Sequence, residues 1–405
     1  APTCQRALEC NLMREMTTFA KRHGWVGLAV LFALLTARRV LSAMGETTPI
    51  GVDQLLRAIP DVATFAQLGE SVLRGDLTAA YSSPFNQAGP LQIVLDAVLR
   101  LLVSPLPATA AIAVLCVVVA LVPLLVSGYA ARRLAESTSP GDQWMWLAAW
   151  VAVLVLGLVG ADEENVLSGH WWQIPVLVLW AGAAHATVLR RPVLAGALVG
   201  VATGLEPWGI LGLLVLALCD GLRTALNVAA TAVIVASALW IPFVLGGSFQ
   251  MAAYRWNVRA DSIWSLIVGG ESPFPWGLRV LQAMLIAVIG VLCVFIFIRP
   301  LRMAGQPQWL TACLLFPVVI VLLRVASDIW FGSYYLMSPA VLLVPTAVVW
   351  LLARRPAGIW FGLSSWVVLV AASGIQPFAL SAVAFAAAVV GLRALKKFPA
   401  EEAPT

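Results

Sequence analysis

An acid set between apolar runs is costly in a membrane, so it marks a place where binding or chemistry is done. Glu206 is such a residue, lying in Gly204-Leu205-Glu206-Pro207-Trp208 with long apolar runs on both sides. A carboxylate there binds a hydroxyl or pairs with an arginine. Asp53 and Asp61 stand near the start of an amphipathic segment. Each suits a general base, and each equally suits a helix N-cap. Arg38-Arg39, Arg259, Arg279 and Arg324 lie at or near the ends of apolar stretches, where a cation could hold an anionic group. Arg324 and Asp328 are four apart, so an ion pair between successive helical turns competes with a ligand role.

Other chemistries find no support in these spacings. No glycine-rich phosphate loop occurs in a strand–helix context, which argues against ATP-driven work by this chain. The 3 histidines (His23, His170, His185) and 6 cysteines form no metal or disulfide pattern. Cys116, Cys219, Cys293 and Cys313 read as small buried hydrophobes, and Cys4 and Cys10 lie in the N-terminal tail. Asp162-Glu163-Glu164 reads as a solvated loop. No cofactor, no metal and no nucleic-acid partner are expected.

The elements around these residues are apolar helices. Of the 405 residues 61% are hydrophobic and 11% charged, and the mean hydropathy is +0.92. That excludes a soluble enzyme, a disordered chain and a disulfide scaffold. The runs are long and unbroken, which predicts an all-α polytopic membrane protein rather than a β-barrel. About 12 transmembrane helices (10–13) are expected, near 24–44, 105–130, 144–160, 171–189, 192–204, 208–224, 227–247, 276–298, 308–325, 334–353, 358–372 and 377–395. Of these, 192–204 and 358–372 are short enough to be half-helices. The 17 tryptophans cluster at helix ends and in loops, as in an aromatic belt.

Lys+Arg number 25 against 20 for Asp+Glu, a net of +5, and their placement sets a topology. Arg132-Arg133, Arg190-Arg191, Arg299 to Arg302, Arg354-Arg355 and Arg393 to Lys397 fall on one side of the alternation. The polar tail 1–23 joins them, read as the flank of a first helix rather than as a cleaved signal. By the positive-inside rule both termini are cytoplasmic. The organisation expected is a tail at 1–23, one transmembrane domain at 24–395 and a second tail at 396–405. Two long outer loops, 45–104 and 248–275, suggest that the work is done at the outer face. The first holds an amphipathic helix near 52–74 and a second stretch, 90–103, read as interfacial or re-entrant. Arg38-Arg39 sits at the outer end of the first helix, against the rule, where snorkelling to headgroups is the plainer account.

The order of features in the first long loop resembles that of integral-membrane glycosyltransferases of the GT-C superfamily. Asp61-Val62-Ala63-Thr64-Phe65 is followed by Glu70, Leu73, Arg74, Gly75, Asp76 and Tyr81, then Pro84-Phe85-Asn86 and Gly89-Pro90-Leu91. Nearest in pattern are the polyprenol-phosphate-mannose-dependent α-mannosyltransferases of actinobacteria. Downstream, Ser168-Gly169-His170, the stretch Ala195-Gly196 through Gly204-Leu205-Glu206-Pro207-Trp208, and Trp330 to Pro339 are similar to later features of that family. Asp61-Val62 departs from the paired acid of several related families.

The resemblance implies a bacterial plasma-membrane enzyme. It would take a sugar, mannose first, from a polyprenyl-phosphate donor and hand it to a glycolipid or glycan hydroxyl, with inversion. Asp61 is then the general base, with Asp53 its rival. Arg38, Arg39, Arg259, Arg279 and Arg324 are candidates for the donor phosphate. Tyr81, His170, Glu206, Trp256, Trp264, Asp328, Trp330 and Tyr334 are candidates for sugar and acceptor. Membrane lipids are the remaining partners. A transporter or flippase for a lipid or polyol is the alternative, favoured by the many spans and by Glu206 at depth. A non-catalytic envelope scaffold ranks third.

Overall fold

The computed structural model describes residues 23–42, 60–84, 86–138, 142–159, 170–246, 249–269, 273–330, 332 and 334–396, apart from the side chains of 60–63, 108, 142–143, 159 and 273. Asp53, the Asp162-Glu163-Glu164 run and the tails beyond His23 and Lys396 lie outside the described residues, as does the side chain of Asp61.

The chain is all-α. In order come α1 (His23–Ser42), α2 (Pro60–Leu73), α3 (Pro90–Val103), α4 (Ala108–Thr138), α5 (Asp142–Val159), α6 (Gln173–Val188) and α7 (Pro192–Leu205). A 3-10 segment (Pro207–Leu218) follows, then α8 (Leu222–Leu245), α9 (Trp276–Cys293), α10 (Gln306–Ala326), α11 (Tyr334–Leu352), α12 (Pro356–Ala372) and α13 (Pro377–Lys396). A π turn and a 3-10 turn continue α9 to Met303. The only strands among the described residues are a two-residue antiparallel ribbon, β1 (Trp256–Asn257) with β2 (Pro273–Phe274).

Seven helices are long and apolar enough to cross a membrane: α1, α4, α8, α9 with its continuation, α10, α11 and α13. Five further apolar helices are shorter: Trp144–Leu158 of α5, α6, α7, the 3-10 segment and α12. The 3-10 segment has 12 residues. At ~2.0 Å rise per residue it reaches about 24 Å, farther than the same residues would as an α-helix. The expected apolar runs fall on these twelve elements, but among the described residues only seven of them, not about twelve, are long and apolar enough to cross a membrane. Pro192, Pro207, Pro356 and Pro377 each open a helix, where the missing N–H costs nothing.

Packing follows chain order. Helix α4 lies on α5, α6 on α7, α7 on α8, and α11, α12 and α13 pack in succession, with α10 closing against α13. Helices α10 and α11 are the most enclosed, and α8 is the least. Leu226, Val233, Ile234, Met284 and Val288 are exposed on α8 and α9, as expected of surfaces that meet lipid rather than water. Helices α2 and α3 form a hairpin held by Arg100 Nε and Glu70 Oε1 at 3.1 Å.

Candidate functional site

Glu206 occupies the break between α7 and the 3-10 segment. Its backbone is extended (φ −138°, ψ 135°), because Pro207 removes the donor that would have continued α7 and disfavours a helical residue before it. The start of α3 is pressed against this break. Gly89 N donates to Leu205 O at 3.0 Å, and a Cβ on Gly89 would collide with the Gly204 carbonyl. Glycine is needed there for close approach, and it brings the polar face of α3 to Glu206.

Around the break is a cavity of about 580 Å³. One wall is apolar, built from Ile210 and Leu211 of the 3-10 segment with Val280, Ala283 and Ile286 of α9. Another is aromatic and polar, from Tyr254, Arg255, Trp256 and Asn257 of the ribbon region with Trp330 and Tyr334. Phe65 of α2, Gln92 of α3, and His170 and Gln173 at the start of α6 close the remaining side.

Two arginines face this space, joined behind it by one acid. Asp328 follows α10 and is 1% exposed. Its Oδ1 accepts from Arg279 Nη1 at 2.6 Å and from the Ile329 N–H at 2.8 Å, while Oδ2 lies 3.8 Å from Arg324 Nε. Burial pushes the Asp328 carboxyl up, but the Arg279 and Arg324 charges outweigh it and hold the group below the ordinary carboxylate value. Arg279 also donates to Gln282 Oε1 at 2.7 Å, and Gln282 in turn donates to Ser327 O at 2.6 Å. The Arg324 guanidinium lies 4.5 Å from the Trp208 ring and 4.8 Å from the Tyr335 ring. Its Nη1 is buried with no hydrogen-bond partner.

The cavity also has acidic and amide groups. Glu206 is 6% exposed, and its Oε1 has no hydrogen-bond partner. His170 and Arg324 are close enough to act on its charge. His170 stacks on Tyr334 with ring centroids 4.3 Å apart and meets the Phe65 ring edge-on. Behind them Asp96 accepts from Trp172 Nε1 at 2.7 Å. Burial pushes the Asp96 carboxyl up to about 8.

The structure brings seven of the sequence-derived site residues to the cavity: His170, Glu206, Trp256, Arg279, Arg324, Trp330 and Tyr334. Asp328 stands one layer behind, on the arginines. The others lie elsewhere. Tyr81 is buried among Trp240, Phe243 and Phe249, its hydroxyl donating to Ala88 O at 2.9 Å. Trp264 packs on Phe274 and donates to Ser327 O at 2.7 Å. Arg259 grips Asp261 through two nitrogens, at 2.9 and 3.0 Å. Arg38 and Arg39 are exposed near the end of α1, away from the cavity. Asp61 is the second residue of α2, one turn before Phe65, so its backbone shares the face that carries the cavity-lining ring. Gln92, Asp96 and Gln282 carried no signal in the sequence beyond polarity inside apolar runs. No cluster of three or more metal-ligating side chains occurs among the described residues. Comparison with known proteins finds no matching family model, no matching curated protein and no matching solved structure.

Proposed function

We propose that this chain is a lipid-linked glycosyltransferase of GT-C type in a bacterial plasma membrane. It takes a sugar, mannose first, from a polyprenyl phosphate and gives it to a glycolipid or glycan hydroxyl at the outer face. The observation that carries the reading is the cavity's two-sided chemistry. Two half-buried arginines, Arg279 and Arg324, stand beside an apolar wall from α9 and the 3-10 segment. An amphiphile with an anionic head and a hydrocarbon tail fits both at once. Trp276 and Val280, 47% and 40% exposed on that side, mark where a tail would leave toward lipid.

In this reading the arginines hold the donor phosphate and stabilise it as it leaves. The acceptor oxygen bonds to the anomeric carbon as the C–O bond to phosphate breaks, and the phosphate departs with the electron pair. The acceptor proton passes to a carboxylate, assigned to Asp61, and a single displacement inverts the anomeric carbon. A β-linked donor thus gives an α-linked product.

The test is transfer of radiolabelled mannose from a synthetic polyprenyl phosphate into extractable glycolipid, in membranes carrying the chain. The wild type transfers label, and Asp61→Asn falls by about 10²–10⁴-fold. If the wild type transfers from no polyprenyl-phosphate sugar with mixed glycolipid acceptors present, the reading fails. The buried, unpaired Oε1 of Glu206 favours the transport alternative, in which Glu206→Gln abolishes function and Asp61→Asn is harmless.

A further inference from the structure

Helix α3 buries two polar side chains among Pro90, Ile93, Ala97 and Val103. Val98, Leu101 and Leu102 are its exposed residues (36%, 50% and 69%), while Gln92 and Asp96, one turn apart, are buried (0% and 2%). Lipid contact explains the apolar outside. It does not explain the polar inside, which bears the desolvation cost of every group left without a partner. Asp96 meets part of its need through Trp172. Gln92 does not. The Gln92 side chain lies near enough to the Asp96 carboxyl to draw it down, yet neither Nε2 nor Oε1 completes a hydrogen bond of good geometry.

Gln92 is fully buried but borders the cavity, as Glu206 does with its own unsatisfied oxygen. One corner therefore offers an amide donor, an amide acceptor and a carboxylate acceptor, all nine-tenths or more buried. A hydroxyl both donates and accepts, so hydroxyls match this set. Trp208 and the stacked His170–Tyr334 pair line the same cavity. A phosphate suits the corner poorly, because it would meet an acid, and it is better served by the arginines.

We infer that the Gln92–Glu206 corner is a hydroxyl-recognition subsite that seats a sugar ring, with Gln92 a specificity-determining residue. This deepens the lipid-linked-sugar reading and rests on it for the ring's origin.

The test measures Kd for three probes on the full chain in nanodiscs: citronellyl phosphate, citronellyl-phosphoryl-mannose and methyl α-mannoside. Gln92→Met and Glu206→Gln are compared with the wild type, and thermal unfolding is recorded for each. If the ring comes with the donor, mannose improves the lipid phosphate's Kd by about tenfold in the wild type. If it comes with the acceptor, methyl α-mannoside binds and the two lipids are equal. In either case Gln92→Met removes the sugar-dependent part, keeps citronellyl phosphate binding and unfolds no lower than the wild type. Glu206→Gln weakens the same part several-fold. The subsite is overturned if mannose adds nothing with either probe, or if Gln92→Met keeps the full gain. It is also overturned if Gln92→Met unfolds at lower temperature and loses citronellyl phosphate as well, which marks the amide as structural. If citronellyl phosphate fails to bind while Gln92-dependent mannoside binding persists, the subsite stands and the lipid-phosphate reading falls.

Discussion

Arg302 grips Asp220 through both terminal nitrogens, Nη2 to Oδ2 at 2.7 Å, and each carboxylate oxygen is engaged. Asp328 is shared between Arg279 and Arg324 and is buried, and Arg324 keeps a buried Nη1 with no partner. The first junction ties the loop after the 3-10 segment to the end of the α9 continuation, with Asp220 49% exposed. The second lies behind a cavity wall, with two aromatic rings against the Arg324 guanidinium. Both are arginine–aspartate junctions, yet of the two only the second has a buried guanidinium nitrogen without a hydrogen-bond partner. The first pair joins two segments; under the proposed function, the spare Arg324 nitrogen would meet the donor phosphate.

Breaking the cavity junction should have the largest effect. Asp328→Asn strips the counter-charge from two half-buried arginines and should cost about 3 kcal/mol in denaturant unfolding of the reconstituted protein. Next comes Arg324→Ala, which leaves Arg279 on Asp328. Under the proposed function it should lower sugar transfer by about 10²–10³-fold, the loss typical of one charge-stabilising donor, while the unfolding temperature changes little. The mildest change is Arg302→Ala, which should cost less than about 1 kcal/mol and leave transfer intact, because a part-exposed ion pair is screened.

Acid sharpens the contrast. The Arg302 hydrogen bond holds the Asp220 carboxyl low, and Arg279 and Arg324 hold Asp328 low against its burial. A folded-state value below the unfolded one stabilises at pH above the unfolded value, about 3.9, and that stability is lost as pH falls through the folded value. Unfolding followed from pH 6 to pH 3 should therefore show an acid-dependent loss that Asp328→Asn removes in large part and Arg302→Ala only slightly.

Much of the helical layout is readable in the sequence, because a run of about 20 apolar residues has few other uses. The expected 90–103 stretch coincides with α3, since Pro90 opens it and Ser104-Pro105 follows its end. The site was legible where an odd residue announced itself. Glu206 and His170 stand out against their neighbours, and both reach the cavity. Partnerships were less legible. Arg324 and Asp328 are a helical turn apart and could be paired on paper, but the shorter contact to Asp328 comes from Arg279, 49 residues away. Gln92 looked like any polar residue of an amphipathic helix, until the Gly89–Leu205 contact turned its face inward. Trp264 and Tyr81 had the composition of sugar-binding aromatics, yet their polar atoms are taken by backbone carbonyls.

The most direct measurement is sugar transfer in liposomes holding only the purified chain, a radiolabelled polyprenyl-phosphate mannose and a glycolipid acceptor. Wild type, Arg324→Ala and Arg302→Ala are run side by side. Transfer by the wild type and by Arg302→Ala, with Arg324→Ala reduced by about 10²-fold or more, is the result expected. An inert wild type, or equal loss in the two arginine variants, would contradict it.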